Sequence, residues 1–125
     1  MADNKVLDLV IILITGRENP QRLPSAFFLA AAAAAAEQDV LIYFTGPATE
    51  LLKKGVAETL FPLAGGKSVA GFMKLAEDNG VRMIGCAQSL ELNHMTAADL
   101  SREMPLLTPS AALPSLGTAR RVLTW

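Results

Sequence analysis

The hydrophobic positions fall into short unbroken runs separated by helical or polar stretches. From Lys5 to Ile14 nearly every residue is β-branched or leucine, with Asp8 the one interruption. A continuous run of that length predicts a strand covered on both faces, as in a parallel sheet. Thr15-Gly16 closes it. Val40-Leu41-Ile42-Tyr43-Phe44 is a second such strand, closed by Thr45-Gly46-Pro47, and Val81 to Cys86 is a third. Between the first two lies a helical stretch from Pro20 or Ser25 to Gln38, dominated by Ala30 to Ala36. Asn19-Pro20 suits a cap followed by proline at the first helical position. Pro24 would delete an intrahelical bond one turn later, which moves the ordered start to Pro24 with a looser turn before it.

Further along, Ala48 to Lys54 reads as a short helix stopped at Gly55, and residues 56–67 as irregular. Ser68 caps a helix through Asp78, with Val69, Phe72, Met73 and Ala76 on one stripe and Asn79-Gly80 as its stop. Thr96-Ala97-Ala98-Asp99 is a capping box opening a short helix to about Glu103. Met104 to Leu107 fits a short strand. Thr108-Pro109 starts a last helix that Pro114 shortens or bends, and Arg121 to Trp125 is a terminal strand. Strands alternating with helices imply an α/β protein: a mainly parallel sheet with helices on both faces. Without repeat or linker, residues 1–125 read as one domain.

Composition narrows the function. Lys and Arg total 11 against 12 Asp and Glu, so no basic stripe marks a nucleic-acid binder. One cysteine excludes an internal disulfide, a C-x-x-C pair and a cysteine-only metal site. With one histidine besides, zinc would need carboxylates or a second subunit. Met1 to Lys5 lacks the basic start of a signal peptide, and Ala26 to Ala36 is too short to span a bilayer. The expectation is a reduced, cytoplasmic protein with no cofactor. Seven consecutive alanines favour helix and let another backbone approach, from the same sheet or from a neighbouring subunit. With 51% apolar and only 18% charged residues, the balance tips toward a homo-oligomer.

Ligands of open α/β sheets bind beyond the carboxyl ends of the strands. Three loops meet that edge: Thr15 to Asn19, Thr45 to Thr49, and Cys86 to Ser89. Cys86 follows the third strand and precedes a helical turn over Gln88 to Asn93. Amides at a helix start stabilise a thiolate, although a free cysteine more commonly serves as a small buried hydrophobe. Cys86-Ala87-Gln88-Ser89 has C-x-x-S spacing. Ser89 could donate to the sulfur or simply cap the turn. A lone thiolate suits carrying a group, such as persulfide sulfur, better than a dithiol cycle. His94 is a candidate base, with surface histidine as the plainer alternative. Arg17, Lys54 and Arg82 are candidate cations for a thiolate or an anion, against the alternative of solvated surface. Gly66-Lys67-Ser68 imitates the end of a P-loop, but Phe61 stands where the first glycine is required. No G-x-G-x-x-G is present.

Several stretches together resemble the DsrE/DsrF-like (YchN-like) family. They are Thr15-Gly16-Arg17-Glu18-Asn19-Pro20-Gln21-Arg22 with Ala26-Phe27; Val40 to Phe44 with Glu50-Leu51-Leu52-Lys53-Lys54-Gly55; Gly80 to Cys86 with Met95 to Leu100; and Arg121 to Trp125. The resemblance implies a three-layer α/β/α domain with a four- to five-stranded sheet, assembled as a trimer or hexamer. It also implies a sulfur-relay role in which the cysteine matched by Cys86 accepts and passes on persulfide sulfur, with rhodanese-like or TusA-like partners. C-x-x-S without a second cysteine argues against roles that need two thiols. The competing expectation is a non-catalytic oligomeric scaffold or small-ligand binder whose cysteine is inert.

Overall fold

The structure, a computed structural model, describes residues 6–125. Lys5, the expected start of the first strand, lies outside them. Five strands form one all-parallel sheet: β1 (Leu9–Leu13), β2 (Val40–Phe44), β3 (Arg82–Cys86), β4 (Leu106–Leu107) and β5 (Arg121–Thr124), in the order β4-β3-β2-β1-β5. Four α-helices accompany them: α1 (Leu23–Ala35), α2 (Val69–Asp78), α3 (Ala87–Leu92) and α4 (Pro109–Gly117).

The strand order dictates where the helices go. From β1 to β4 the chain steps outward in one direction, and right-handed crossovers then place every connection on the same side of the sheet. The return from β4 to β5 runs the other way and carries α4 across the opposite side. Packing follows this rule. Leu9, Ile11, Leu13, Val40, Ile42, Phe44 and Met83 share a core with residues of α1, α2 and α3. The alternate strand residues Val10, Leu41, Tyr43, Ile84 and Cys86 pack with Ala112 and Leu116 of α4. The architecture is therefore the three-layer α/β/α arrangement.

Local chemistry explains where elements start and stop. Asn19-Pro20 opens a 3₁₀ turn over Pro20–Arg22, and α1 follows with Pro24 in its first turn, where its missing N–H costs nothing. Helix α1 stops at Ala35, three residues before the expected Gln38. Glu37 adopts a left-handed φ of 65°, the Gln38 amide donates to the Ala33 carbonyl, and the Glu37 amide donates to Ala34. That is a Schellman stop made without glycine. Ser68 accepts from the Gly71 amide and caps α2. The helix expected over Ala48 to Lys54 is instead a 3₁₀ segment, Gly46–Leu52, and the one after Thr96 is a single 3₁₀ turn, Ala97–Asp99. The second is too short to close an i→i−4 bond, and the first is held at its start by bonds outside it, the Gly46 amide to Ser89 Oγ and the Ala48 amide to the Ile14 carbonyl. The alanine run splits by face: Ala30 and Ala31 are buried, while Ala32, Ala35 and Ala36 are exposed.

Candidate functional site

Cys86 is the last residue of β3, on the α4 side of the sheet, and α3 begins at the next residue. The register sets its neighbours: Phe44 pairs with Gly85, bringing Thr45 alongside, and Cys86 pairs with Leu107. Tyr43 projects to the same face, and its hydroxyl donates to the Leu107 carbonyl at 3.2 Å. Ser89, 3% exposed, ties the loop after β2 to α3. Its Oγ accepts from the Gly46 amide at 2.8 Å and lies 3.3 Å from Thr45 Oγ1. Asn93 completes the clamp, its side-chain amide donating to the Gly46 carbonyl at 3.0 Å and to Ser89 O at 2.7 Å. Gly46 meets this clamp in the left-handed region, at φ 56°.

Cys86 is only 2% exposed. Burial opposes its ionisation, but hydrogen bonds from the Ser89 hydroxyl, the Tyr43 hydroxyl, the Ser89 amide and the Thr45 hydroxyl outweigh that penalty. The thiol pKa therefore falls below its ordinary value. The Tyr43 phenol moves the other way, pushed up by burial and then by its contact with the Cys86 sulfur. The Tyr43 proton has two acceptors within reach, the Leu107 carbonyl and the sulfur. Its bond to the carbonyl is long for O–H···O, which leaves the proton available to a thiolate.

Beside the thiol the sheet opens. After β3 the chain turns to one side of the sheet, and after β4 it turns to the other. Adjacent strands whose connections diverge leave a crevice at their carboxyl ends. A cleft of about 560 Å³ sits there, lined by Ala87, Gln88 and Glu91 from α3 and by Thr108, Pro109 and Ser110 at the start of α4.

Of the candidates singled out by the sequence, Cys86 and Ser89 come together. His94 stands beyond the far end of α3, exposed, with a left-handed φ of 55°. Its amide donates to Glu91 and the Met95 amide to Leu90, so it occupies the turning position of a Schellman stop. Arg17, in the loop after β1, pairs with Glu50 at 3.5 Å. Lys54 donates to the Ala98 carbonyl. Arg82 opens β3, at the end of the strand opposite Cys86. Lys67 lies 5.4 Å from the Phe72 ring centroid, and Ser68 is a helix cap. Sequence reasoning missed Tyr43, Asn93 and the loop Thr108–Ser110. A hydroxyl-bearing side chain inside an otherwise wholly apolar strand was the available signal for the first. The last requires knowing that β4 lies beside β3. Among the described residues no group of three or more His, Cys, Asp or Glu side chains is placed to hold a metal ion. Among the same described residues no helix is long and apolar enough to cross a membrane.

The fold and site define a small parallel α/β/α protein that sets one hydrogen-bonded thiol at a sheet switch point. The chain belongs to the DsrE/DsrF-like family, whose model matches residues 8–125. Among solved structures it resembles the YchN protein of E. coli, with a TM-score of 0.77 at 16% identity, covering 96% of this chain and 100% of that one. It also resembles BT1422 of Bacteroides thetaiotaomicron, with a TM-score of 0.63 at 13% identity, covering 94% and 95% of the two chains. MTH1491 of Methanobacterium thermoautotrophicum gives 0.61 at 14%, covering 94% and 96%. The last two are described as proteins of unknown function. These likenesses establish a shared fold. No curated protein matches the sequence.

Proposed function

We propose that the protein is a sulfur carrier that holds sulfane sulfur as a persulfide on Cys86. Family membership makes a sulfur-relay role the natural class. The observation that carries the reading is the group of hydroxyls, from Ser89, Thr45 and Tyr43, that the strand register gathers around Cys86 at the carboxyl end of β3, where they favour the thiolate. An inert buried cysteine has its pKa raised by its surroundings, whereas this one is lowered. In the loading step the Cys86 thiolate attacks the outer sulfur of a donor persulfide, R–S–SH. A Cys86 S–S bond forms, the donor's own S–S bond breaks, and R–S⁻ leaves with the electron pair while the proton stays on the transferred sulfur. An acceptor thiolate then attacks that same outer sulfur and regenerates Cys86 as thiolate. No net oxidation occurs in either step.

Rhodanese-like or TusA-like proteins are the donor and acceptor class in this reading, and the site is cytoplasmic, where thiols stay reduced. Self-association as a trimer or hexamer is part of it. Phe28 and Leu29 on α1, and Val122 and Leu123 on the edge strand β5, are exposed apolar side chains that a second copy would cover. Light scattering during size exclusion measures the copy number. The 2% exposure of Cys86 favours the competing scaffold reading, in which the thiol only fills space. Incubation with several sulfane-sulfur donors separates the two. A carrier gains one sulfur atom by intact mass, absent in Cys86→Ser. A scaffold gains none until it unfolds.

A further inference from the structure

The cleft beside Cys86 carries one charge. Among the described residues, Glu91 is the one charged side chain lining it, with Gln88, Thr108 and Ser110 supplying neutral polar groups. Glu91 follows Ala87 by four residues, so both fall on one face of α3, the face that looks into the cleft. The helix starts around the cleft offer little to offset that carboxylate. Pro109 has no N–H, and the Ala111 amide is taken by Thr108 Oγ1 at 3.3 Å. The Gln88 and Ser110 amides remain at those helix starts, so a full charge faces partial charges only.

We infer that Glu91 is a specificity-determining residue: it makes the approach to Cys86 reject anionic sulfur donors and admit donors whose reacting end is uncharged or cationic. This deepens the sulfur-carrier reading and rests on it for the word donor. Thiosulfate and inorganic polysulfides are disfavoured in this scheme. A thiol or persulfide set among amide or basic groups, as on the surface of a carrier protein, is favoured. Glu91 also gives such a group a hydrogen-bond acceptor at the mouth. It does not touch the sulfur being transferred.

The test compares a neutral and an anionic alkylating agent of similar size, iodoacetamide and iodoacetate, on wild type and Glu91→Gln, scored by intact mass. The ratio of neutral to anionic rate should fall about threefold in Glu91→Gln at low ionic strength, and the difference should fade as salt screens it. An unchanged ratio overturns the inference. A second pair keeps the question separate from the reactivity of Cys86. In a Cys86→Ser background, Gln88→Cys places a thiol on the exposed cleft wall, with and without Glu91→Gln. The same threefold change there supports the charge filter even if native Cys86 proves inert, in which case the carrier reading alone falls. Equal ratios at the Gln88→Cys reporter, with and without Glu91, sink the filter while leaving the carrier reading standing. Should the filter hold, cystamine should form a mixed disulfide with Cys86 faster than dithiodiglycolate does. A reversed order would contradict it.

Discussion

The two faces of the sheet are built from the same strands and put to different uses. On one face α1 and α2 lie side by side, Phe28 packing edge-on against Phe72 at 5.4 Å, over a wall of Leu9, Ile11, Ile42 and Phe44. The other face has α4, nine residues long with Pro114 inside it, over Val10, Leu41, Tyr43, Ile84 and Cys86. Alternation along a strand delivers both. In β2, Ile42 and Phe44 point to the first face and Tyr43 to the second; in β3, Met83 points to the first and Cys86 to the second. The thickly covered face stabilises the sheet by burying apolar area. The thinly covered face can hold polar side chains near a thiol because less of the fold's stability depends on it. Lighter cover lets a site open, and heavier cover keeps the strands in place while it does.

Truncations on the two faces put this contrast to the sharpest test. Phe44→Ala, removing a fully buried ring that packs 6.3 Å from Phe27, should destabilise by about 3–5 kcal/mol. Leu116→Ala, in α4 itself, should fall at the low end for leucine, about 2 kcal/mol. Urea unfolding measures both, and equal losses would remove the asymmetry. Ser89→Ala strips the Gly46 amide of its acceptor and Cys86 of a donor. It should destabilise by about 1–3 kcal/mol, the cost of an orphaned buried group. The same variant should move the midpoint of Cys86 alkylation to higher pH. Unaltered alkylation would mean that Ser89 only ties loops together. Tyr43→Phe should shift that midpoint in the same direction with a smaller loss of stability.

Stability against pH tests the same group without any reagent. The folded Cys86 pKa lies below that of the unfolded thiol, so the stabilisation it brings is complete above the unfolded value. It is lost as pH falls through the folded one. Wild type should therefore gain stability over Cys86→Ala as pH rises through that interval, then keep a constant advantage above it. Parallel curves across the interval would show that the donors do not favour the thiolate. The smallest effects are at the caps. Ser68→Ala at α2 and Thr108→Ala at α4 should each cost about 1 kcal/mol. Thr108→Ala should in addition change alkylation at Cys86, since Thr108 lines the cleft, whereas Ser68→Ala should leave it alone.

Much of this was legible along the chain, and the exceptions have physical causes. Leu9–Leu13 and Val40–Phe44 are strands because unbroken β-branched and leucine runs cannot expose either face. The Ser68 cap, the Thr96–Asp99 box and the short last helix with Pro114 are local hydrogen-bond chemistry, and they stand where expected. Helix ends were harder to read. At α1, Glu37 turns the chain with positive φ, a job usually given to glycine, so composition pointed past it. Such stops are chosen by what the next strand needs.

By itself the sequence determined that strands alternate with helices, that a single thiol closes the third strand, and that no paired-cysteine chemistry is available to it. These are statements about periodicity and counts, which need no third dimension. Strand order belongs to the tertiary structure alone. It sends α3 and α4 to opposite sides of β3 and β4, and so opens the cleft between Gln88 and Ser110. It also lays Tyr43 of one strand, and Thr45 just beyond its end, against Cys86 of the next. Residues 43 positions apart meet only when the register is set. Cys86 became a thiol with donors when the sheet closed around it, and the lowering of its pKa follows from that register, with burial working against it.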